Sequence, residues 1–455
     1  MQRVHFIAIG GAAMHNLAIA VKKKNNFLVT GSDDEIYDPS YTRLKENGLL
    51  PHQMGWFPDR IHKGLSAVIL GMHATEDNPE LIRARELGLK IYSYPEYLFH
   101  QTRSKTRIVV GGSHGKTTTT AMIIWVLKQL RMDPDFLVGA KVEGFENMVK
   151  LTYDSRVAVF EGDEYLTSPL DRRPKFHLYK PHIAVLTGIA WDHANVFPTF
   201  QHYVEQFRKF ADLMEFQGRL IYFDGDENLN AIAENVRRDI ITFNYHTAPH
   251  HIENGVTIIE TKYGNFPLKI FGKHNLQNIE AARLACRQVG VTDEQFYNAI
   301  GDFPGASKRQ QVIAQTATAT AFNDFAHSPS KVKATIEAMK GQFPERKLIA
   351  CYELHTFSSL TESFLPEYKN TMQQADVAIV YYNHEVIKQK QQKILDENQI
   401  LTGFGREDLK IFSNIDALKR FLTEQNYTNT TLLMMSSGNF SGANLPELAH
   451  QLLNQ

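Results

Sequence analysis

The sequence predicts an α/β protein of three domains with mostly parallel sheets. Three observations support this. Short apolar runs of strand length alternate with longer helix-period segments along the chain. Several of those runs end in glycine-containing turns that lead into a helix, as in strand–loop–helix units. The chain has 455 residues, enough for about two to four domains, and three is the natural division.

Residues 1–105 form the first expected domain. Val4 to Ile9 reads as a strand, Gly10-Gly11-Ala12-Ala13-Met14 as a tight turn, and the segment through Val21 as an apolar helix. A second strand, Phe27 to Thr30, ends in Gly31-Ser32-Asp33, and a third, Ala67 to Leu70, ends in Gly71-Met72-His73. This is a Rossmann-like pattern, with ligands expected at the carboxyl ends of the strands. Ala12 stands where a full dinucleotide fingerprint has glycine, so the loop alone reads equally as a structural turn. Asp33 follows at about the distance of a ribose-contacting acid. Together they suggest a diphosphate nucleotide, a nucleotide sugar rather than a dinucleotide. Lys22-Lys23-Lys24 is expected to be a solvated helix end.

Residues 106–310 form the second expected domain. Ile108 to Val110 enters Gly111-Gly112-Ser113-His114-Gly115-Lys116-Thr117-Thr118, and a helix-like segment, Ala121 to Leu130, follows. Glycines let backbone N–H groups turn toward a phosphate, and a helix N-terminus adds a favourable partial charge. Lys116 is the expected partner of β/γ-phosphates and Thr117 of Mg2+. The spacing is short: the common form has four residues before its Gly-Lys-Thr, whereas Gly112 leaves two here. The plain alternative is a glycine-rich turn before an ordinary helix.

The strand Arg156 to Phe160 delivers Glu161-Gly162-Asp163-Glu164, and a carboxylate at a strand end near a phosphate loop is placed to ligate Mg2+. The strand His182 to Thr187 opens into Gly188-Ile189-Ala190-Trp191-Asp192-His193. His193 is the candidate ligand of a second cation. In Gly272 to Ala282, Asn275 or Asn278 could serve as a helix cap.

Residues 311–455 form the third expected domain, with strands near Thr320–Phe322, Leu348–Tyr352, Val377–Tyr381 and Thr431–Met435. Lys388 to Lys393 reads as an exposed helix face.

Bulk properties exclude several classes. A formal net charge of −1 gives no basis for nucleic-acid or membrane-surface binding. Cys286 and Cys351 are too few for a disulfide framework, lack zinc-ligand spacing, and are expected to be buried. With no N-terminal signal and no bilayer-length apolar run, the expected class is a soluble cytoplasmic enzyme.

Taken together, these strings resemble the Mur ligase family of ATP-dependent amide-bond-forming enzymes. The matches are G-x-x-G-K-T-T at Gly112–Thr118, E-x-D-E at Glu161–Glu164, Asp192-His193, G-x-H-N-x-x-N-x-x-A-A from Gly272 to Ala282, and Asn323-Asp324-Phe325-Ala326-His327-Ser328-Pro329. The stretch Glu164 to Phe176 and the C-terminal Met435 to Gly442 are similar to the branch that handles a recycled peptide. The resemblance implies joining L-Ala-γ-D-Glu-meso-diaminopimelate to UDP-N-acetylmuramate through an acyl phosphate, with ATP split to ADP and phosphate. It implies that Gly112, Ser113, His114, Gly115, Lys116, Thr117 and Thr118 cradle the phosphates. Thr117 and Glu161 would hold one Mg2+ and His193 another. Asn275 would lie near adenine, Arg309 near the phosphates and Asp324 near the ribose. Gly10, Gly11, Ala12, Met14, Asp33 and His73 would line the UDP-sugar site. The expected assembly is a monomer or weak dimer acting on small molecules.

Some positions depart from the family pattern. Leu166 replaces an acid, Gly188 an asparagine and Asn195 an aspartate, and neither Arg208 nor Lys209 can be assigned as the carbamylated lysine of some relatives. Glu353-Leu354-His355-Thr356-Phe357-Ser358 stands partway between the tripeptide-ligase string and that of the L-alanine ligase branch. That branch is the nearest rival. A non-catalytic nucleotide-sugar sensor is a rival of another class, against which intact Lys116, Thr117, Glu161 and His193 argue.

Overall fold

The computed structural model describes all residues except 140–144, 146, 169, 192–195, 254, 391–392, 394 and 455. Among the described residues the strands form four sheets. The chain divides into two compact units. The first comprises Met1–Ile189, Gln201–Tyr245 and Ala281–Phe296; the second comprises Ala190–Phe200, His246–Glu280 and Tyr297–Gln455.

The first unit holds two sheets. Strands β1 (Gln2–Ile7), β2 (Phe27–Ser32), β3 (Ala67–Leu70) and β4 (Ile91–Ser93) pair in the order β2-β1-β3-β4, all parallel. Strand β1 stops two residues before Ile9 because Ala8 turns to φ +62°. The larger sheet contains β5 (Thr106–Gly111), β6 (Asp135–Leu137), β7 (Val149–Lys150), β8 (Val157–Glu161), β9 (Ile183–Leu186), β10 (Arg219–Phe223) and β11 (Ile241–Tyr245). Its order is β11-β10-β9-β5-β8-β6-β7, parallel except for β6 with β7. Every residue of β8 and β9 is buried. That explains their unbroken apolar runs, because helices cover both faces of such a sheet.

The junction between these two sheets is held by a buried cation. Arg107, 1% exposed, donates to the carbonyls of Thr102 and Arg103 at the end of the helix Tyr94–Thr102, both at 3.1 Å. It also donates to Tyr179 O at 2.9 Å, Lys180 O at 3.0 Å and the Glu215 carboxylate at 2.5 Å. In the basic run, Lys22 and Lys23 are exposed, as expected, whereas Lys24 is half-buried. Lys24 lies 4.4 Å over the Tyr153 ring and donates to Gln101, and burial, with Lys105 next, lowers its pKa.

The second unit also holds two sheets. Strands β12 (His250–Glu253), β13 (Val256–Thr261) and β14 (Gly264–Leu268) are antiparallel. Strands β15 (Gln311–Gln315), β16 (Thr320–Asp324), β17 (Lys347–Leu354), β18 (Val377–Tyr382), β19 (Lys410–Phe412) and β20 (Thr430–Met435) pair as β15-β16-β20-β17-β18-β19. Only the β15 edge is antiparallel among these pairs. Alternation along β17 splits its side chains between two cores: Leu348, Ala350, Tyr352 and Leu354 on one face, Ile349 and Cys351 on the other. Cys286 and Cys351 are both buried and unbonded to sulfur, as expected. No helix among the described residues is long and apolar enough to cross a membrane.

Candidate functional site

Parallel register assembles the central site. Val110 on β5 is the partner of Glu161 on β8, and Gly111 is the partner of Leu186 on β9. The loop after β5, the carboxylate ending β8 and the Thr187-Gly188 turn after β9 therefore meet at the carboxyl edge of the sheet, where ligands of parallel sheets bind. Gly112 turns at φ +137°, and a Cβ there would stand 2.2 Å from Thr187 Oγ1. Thr187 in turn donates its hydroxyl to His114 O. Gly188, at φ +132°, supplies the carbonyl that accepts the Ser113 N–H at 2.8 Å. Glycine suits this backbone. Gly115, at φ +71°, caps the helix Lys116–Gln129.

The side chains converge in the same place. Thr117 donates to Glu161 Oε1 at 2.6 Å, and Gly139 N–H donates to Glu161 Oε2 at 2.5 Å. Lys116 donates to Gly112 O at 2.7 Å and pairs with Glu164 at 2.8 Å. Burial works against the Lys116 ammonium, but Glu164, Asp163 and Glu161 outweigh it and hold its pKa above the ordinary lysine value. Burial and then neighbouring Asp163 raise the Glu161 pKa, opposed by the Thr117 hydroxyl and Lys116. A divalent cation beside Glu161 favours its charged form. Two protein oxygens, from Thr117 and Glu161, suit Mg2+, which keeps several waters and takes phosphate oxygens. The donor set and the glycine cradle fit Mg2+ and a nucleotide phosphate.

In the smaller sheet of this unit, Gly10 N–H donates to Asp33 Oδ2 at 2.6 Å. A Cβ on Gly10 would lie 2.9 Å from the same oxygen. Asp33 is 4% exposed, and burial, partly opposed by the Gly10 hydrogen bond, pushes its pKa up to about 6. Gly11 caps the helix Ala12–Lys23, Ala12 is exposed, and Met14 is buried in the core. His73 is exposed in the turn after β3.

The remaining candidates lie in the second unit. Asn275 is buried and donates to Phe271 O and Gln310 Oε1 at 2.8 and 2.9 Å. It does not cap its helix, and neither does Asn278, because the helix Lys273–Arg287 starts before both. Asp324 ends β16 and accepts N–H groups of Gln310 at 2.7 Å and Ala326 at 2.8 Å. Arg309 stacks 4.5 Å over the Phe325 ring. At the ends of β17 and β20, buried Glu353 accepts the Ser436 hydroxyl and the Phe440 N–H, the latter at 3.0 Å. His355 Nδ1 stands 3.9 Å from the same carboxylate.

Asp192, His193 and Asn195 lie outside the described residues. Arg208 pairs with Glu205 and Asp212, and Lys209 is exposed, on the helix Phe200–Asp212. Sequence reasoning missed Glu164 as the partner of Lys116, although the E-x-D-E string contained it. It also missed Tyr203, whose hydroxyl lies 3.3 Å from Glu164 Oε1 and whose only local signal is an aromatic position on an amphipathic helix.

Comparisons with known proteins agree along the chain. Models for the Mur ligase family catalytic domain, the Mur ligase middle domain and the Mur ligase glutamate ligase domain match residues 3–106, 110–286 and 308–438. A UDP-N-acetylmuramate–L-alanine ligase of Desulfitobacterium hafniense is 31% identical over 389 residues, 83% of each chain. The crystal structure of a murein peptide ligase from Psychrobacter arcticus is similar over 100% of this chain and 99% of that one, at 22% identity and a TM-score of 0.66. One from Neisseria meningitides covers 67% of this chain and 98% of its own, at 26% identity and a TM-score of 0.60. Matched by three consecutive models and by a relative along most of its length, the chain belongs to the Mur ligase family of ATP-dependent, ADP-forming amide ligases.

Proposed function

We propose that this enzyme joins the tripeptide L-Ala-γ-D-Glu-meso-diaminopimelate to UDP-N-acetylmuramate, as a cytoplasmic murein peptide ligase of peptidoglycan recycling. The observation that carries this reading is the Glu164–Phe176 segment. It starts at the carboxylate that pairs with Lys116. It ends at Phe176, which is buried against Phe210, rings 4.7 Å apart. Between them, Thr167 N–H donates to Arg173 O at 2.9 Å and Arg173 pairs with Asp171 at 2.6 Å. The described residues of the segment thus close on one another beside the phosphate loop, and its sequence is similar to that of the peptide-handling branch.

An amide does not form from a free carboxylate at neutral pH without activation, and ATP with Mg2+ supplies that activation as phosphoryl transfer. The chain's own residues do the positioning. The Ser113 N–H is taken by Gly188 O; the other N–H groups from Gly112 through Thr118 are proposed to face the phosphates, whose charge the Lys116 ammonium would offset. Thr117 and Glu161 would hold one Mg2+, and His193 is proposed for a second. Asn275, Arg309 and Asp324 are proposed to contact adenine, phosphate and ribose. Asp324 already accepts two N–H groups, so a ribose hydroxyl would use its remaining lone pairs. Gly10, Gly11, Ala12, Met14, Asp33 and His73 are assigned to the UDP-sugar site. Buried Met14 serves there by shaping the helix start rather than by contact. The proposed domains are 1–105 for UDP-sugar binding, 106–310 as the central ATP-binding ligase domain and 311–455 as the C-terminal ligase domain, in a monomer or weak dimer.

The second reading is UDP-N-acetylmuramate–L-alanine ligase, favoured by the D. hafniense relative and by His355-Thr356-Phe357-Ser358. Phosphate release with ATP, Mg2+ and UDP-N-acetylmuramate, adding either L-alanine or the tripeptide, separates them. Turnover with the tripeptide alone supports the proposal. Turnover with alanine alone overturns it.

A further inference from the structure

Lys116 does not face the loop alone. Its ammonium is shared between Gly112 O and the Glu164 carboxylate, whose Oε2 and Oε1 lie 2.8 and 3.2 Å away. Glu164 is 1% exposed, so solvent cannot readily replace Lys116 beside that charge. Tyr203 touches the same carboxylate from the helix Phe200–Asp212. Its hydroxyl lies 3.3 Å from Glu164 Oε1 and 3.0 Å from Ser113 Oγ. The Tyr203 ring is fully buried against Phe207, edge to face at 5.1 Å. One buried carboxylate thus touches the loop's cation directly and the loop's serine through a phenol.

We infer that Glu164 is a built-in competitor for Lys116, and that Tyr203 sets the strength of the competition. A phosphate approaching Lys116 meets a like charge already bound to it, so part of the attraction goes into sharing the ammonium. The Tyr203 hydroxyl donates to Glu164 and spreads its charge, which loosens its hold on Lys116. Glu164 and Tyr203 are positioning residues that set nucleotide affinity. Competition also favours release: a nucleotide that leaves gives Lys116 back to a ready partner. This rests on reading the loop as a nucleotide site, and extends that reading to what limits affinity there.

The two residues act in opposite directions, and that separates the proposal from a merely structural role. Glu164→Gln removes the competing charge while keeping shape. Tyr203→Phe keeps the ring and leaves Glu164 more strongly fixed on Lys116. The test titrates a fluorescent ADP analogue into the full chain and both variants, in EDTA so that binding is read apart from turnover. Glu164→Gln is expected to bind about tenfold tighter than the parent, and Tyr203→Phe about threefold weaker. Weaker or unchanged binding by Glu164→Gln overturns the proposal, as does a shift of both variants in one direction. If Glu164→Gln does not fold, the sign for Tyr203→Phe decides, and tighter or unchanged binding overturns it. A parent protein that binds no ADP analogue removes the nucleotide reading of the loop, and this inference with it. A parent that binds, with variants showing the wrong signs, removes this inference alone.

Discussion

Glu161 stands beside Val110 in parallel register, one residue before the strand enters its phosphate loop. That pairing fixes the distance from the Glu161 carboxylate to the Thr117 hydroxyl, because both are reached from neighbouring strand ends. A pair of oxygens suited to a metal ion arises here from strand alignment, although the two residues are far apart in sequence.

Lys116→Ala should reduce ligation by at least about a thousandfold, because one cation offsets the charge on the transferring group. UDP-N-acetylmuramate binding should persist, since the residues assigned to it belong to another sheet. Calorimetric titration with the UDP-sugar, beside a phosphate-release assay, checks both halves. Normal turnover by the variant would remove Lys116 from the site.

Gly112→Ala should be more damaging than its single methyl suggests. The residue sits at φ +137°, and the new Cβ would meet Thr187 Oγ1 at 2.2 Å. The loop must rebuild, so nucleotide affinity should fall by about a hundredfold or more. Retained affinity in the ADP-analogue titration would show that the loop tolerates another path.

Asp33 gives the first domain a pH signature. Its folded-state pKa, about 6, lies above the ordinary 3.8, with burial the main cause. The folded protein therefore holds this proton more tightly than the unfolded chain. The resulting stabilisation is full below pH 3.8 and is lost as pH rises through about 6. Its size is up to about 3 kcal/mol. Asp33→Asn should flatten that part of the thermal stability profile between pH 4 and 7 (a window set by those pKa values, roughly). It should also raise the requirement for UDP-N-acetylmuramate more than that for ATP. An unchanged profile would remove Asp33 as its source.

Arg107→Leu should lower stability by about 3–5 kcal/mol, because several buried carbonyls lose their donor together. Urea denaturation followed by tryptophan fluorescence reads this. Arg107→Lys should recover only part of the loss, since an ammonium cannot span carbonyls in a planar fork. Full recovery by lysine would mean that charge alone matters there.

Much of the fold is legible in the sequence where strands are buried on both faces. Ala67–Leu70 has the same bounds in the sequence reading and the structure, and Lys347–Leu354 extends the expected Leu348–Tyr352 by three residues. Such runs stay apolar because both faces pack. The antiparallel strands escaped notice because His250–Glu253 and Gly264–Leu268 are largely exposed, and Val256–Thr261 mixes apolar and polar residues without strict alternation. The two-residue strand Val149–Lys150 offers too little pattern to read. Within the candidate site, Lys116, Thr117 and Glu161 were legible from local strings, and strand register brings them together. Tyr203 was not, because its meeting with Ser113 and Glu164 depends on how a later helix packs. Neither Asn275 nor Asn278 caps its helix, because the helix already begins at Lys273.

The guanidinium of Arg107 makes the passage from the first sheet to the second a weld rather than a hinge. Its donors fasten the end of one helix and the loop at Tyr179–Lys180 to the strand that leads into the phosphate loop. The residues assigned to the sugar nucleotide and the loop assigned to the ATP phosphates then share one frame within the first unit. Their separation is a property of the polypeptide, set before either ligand arrives.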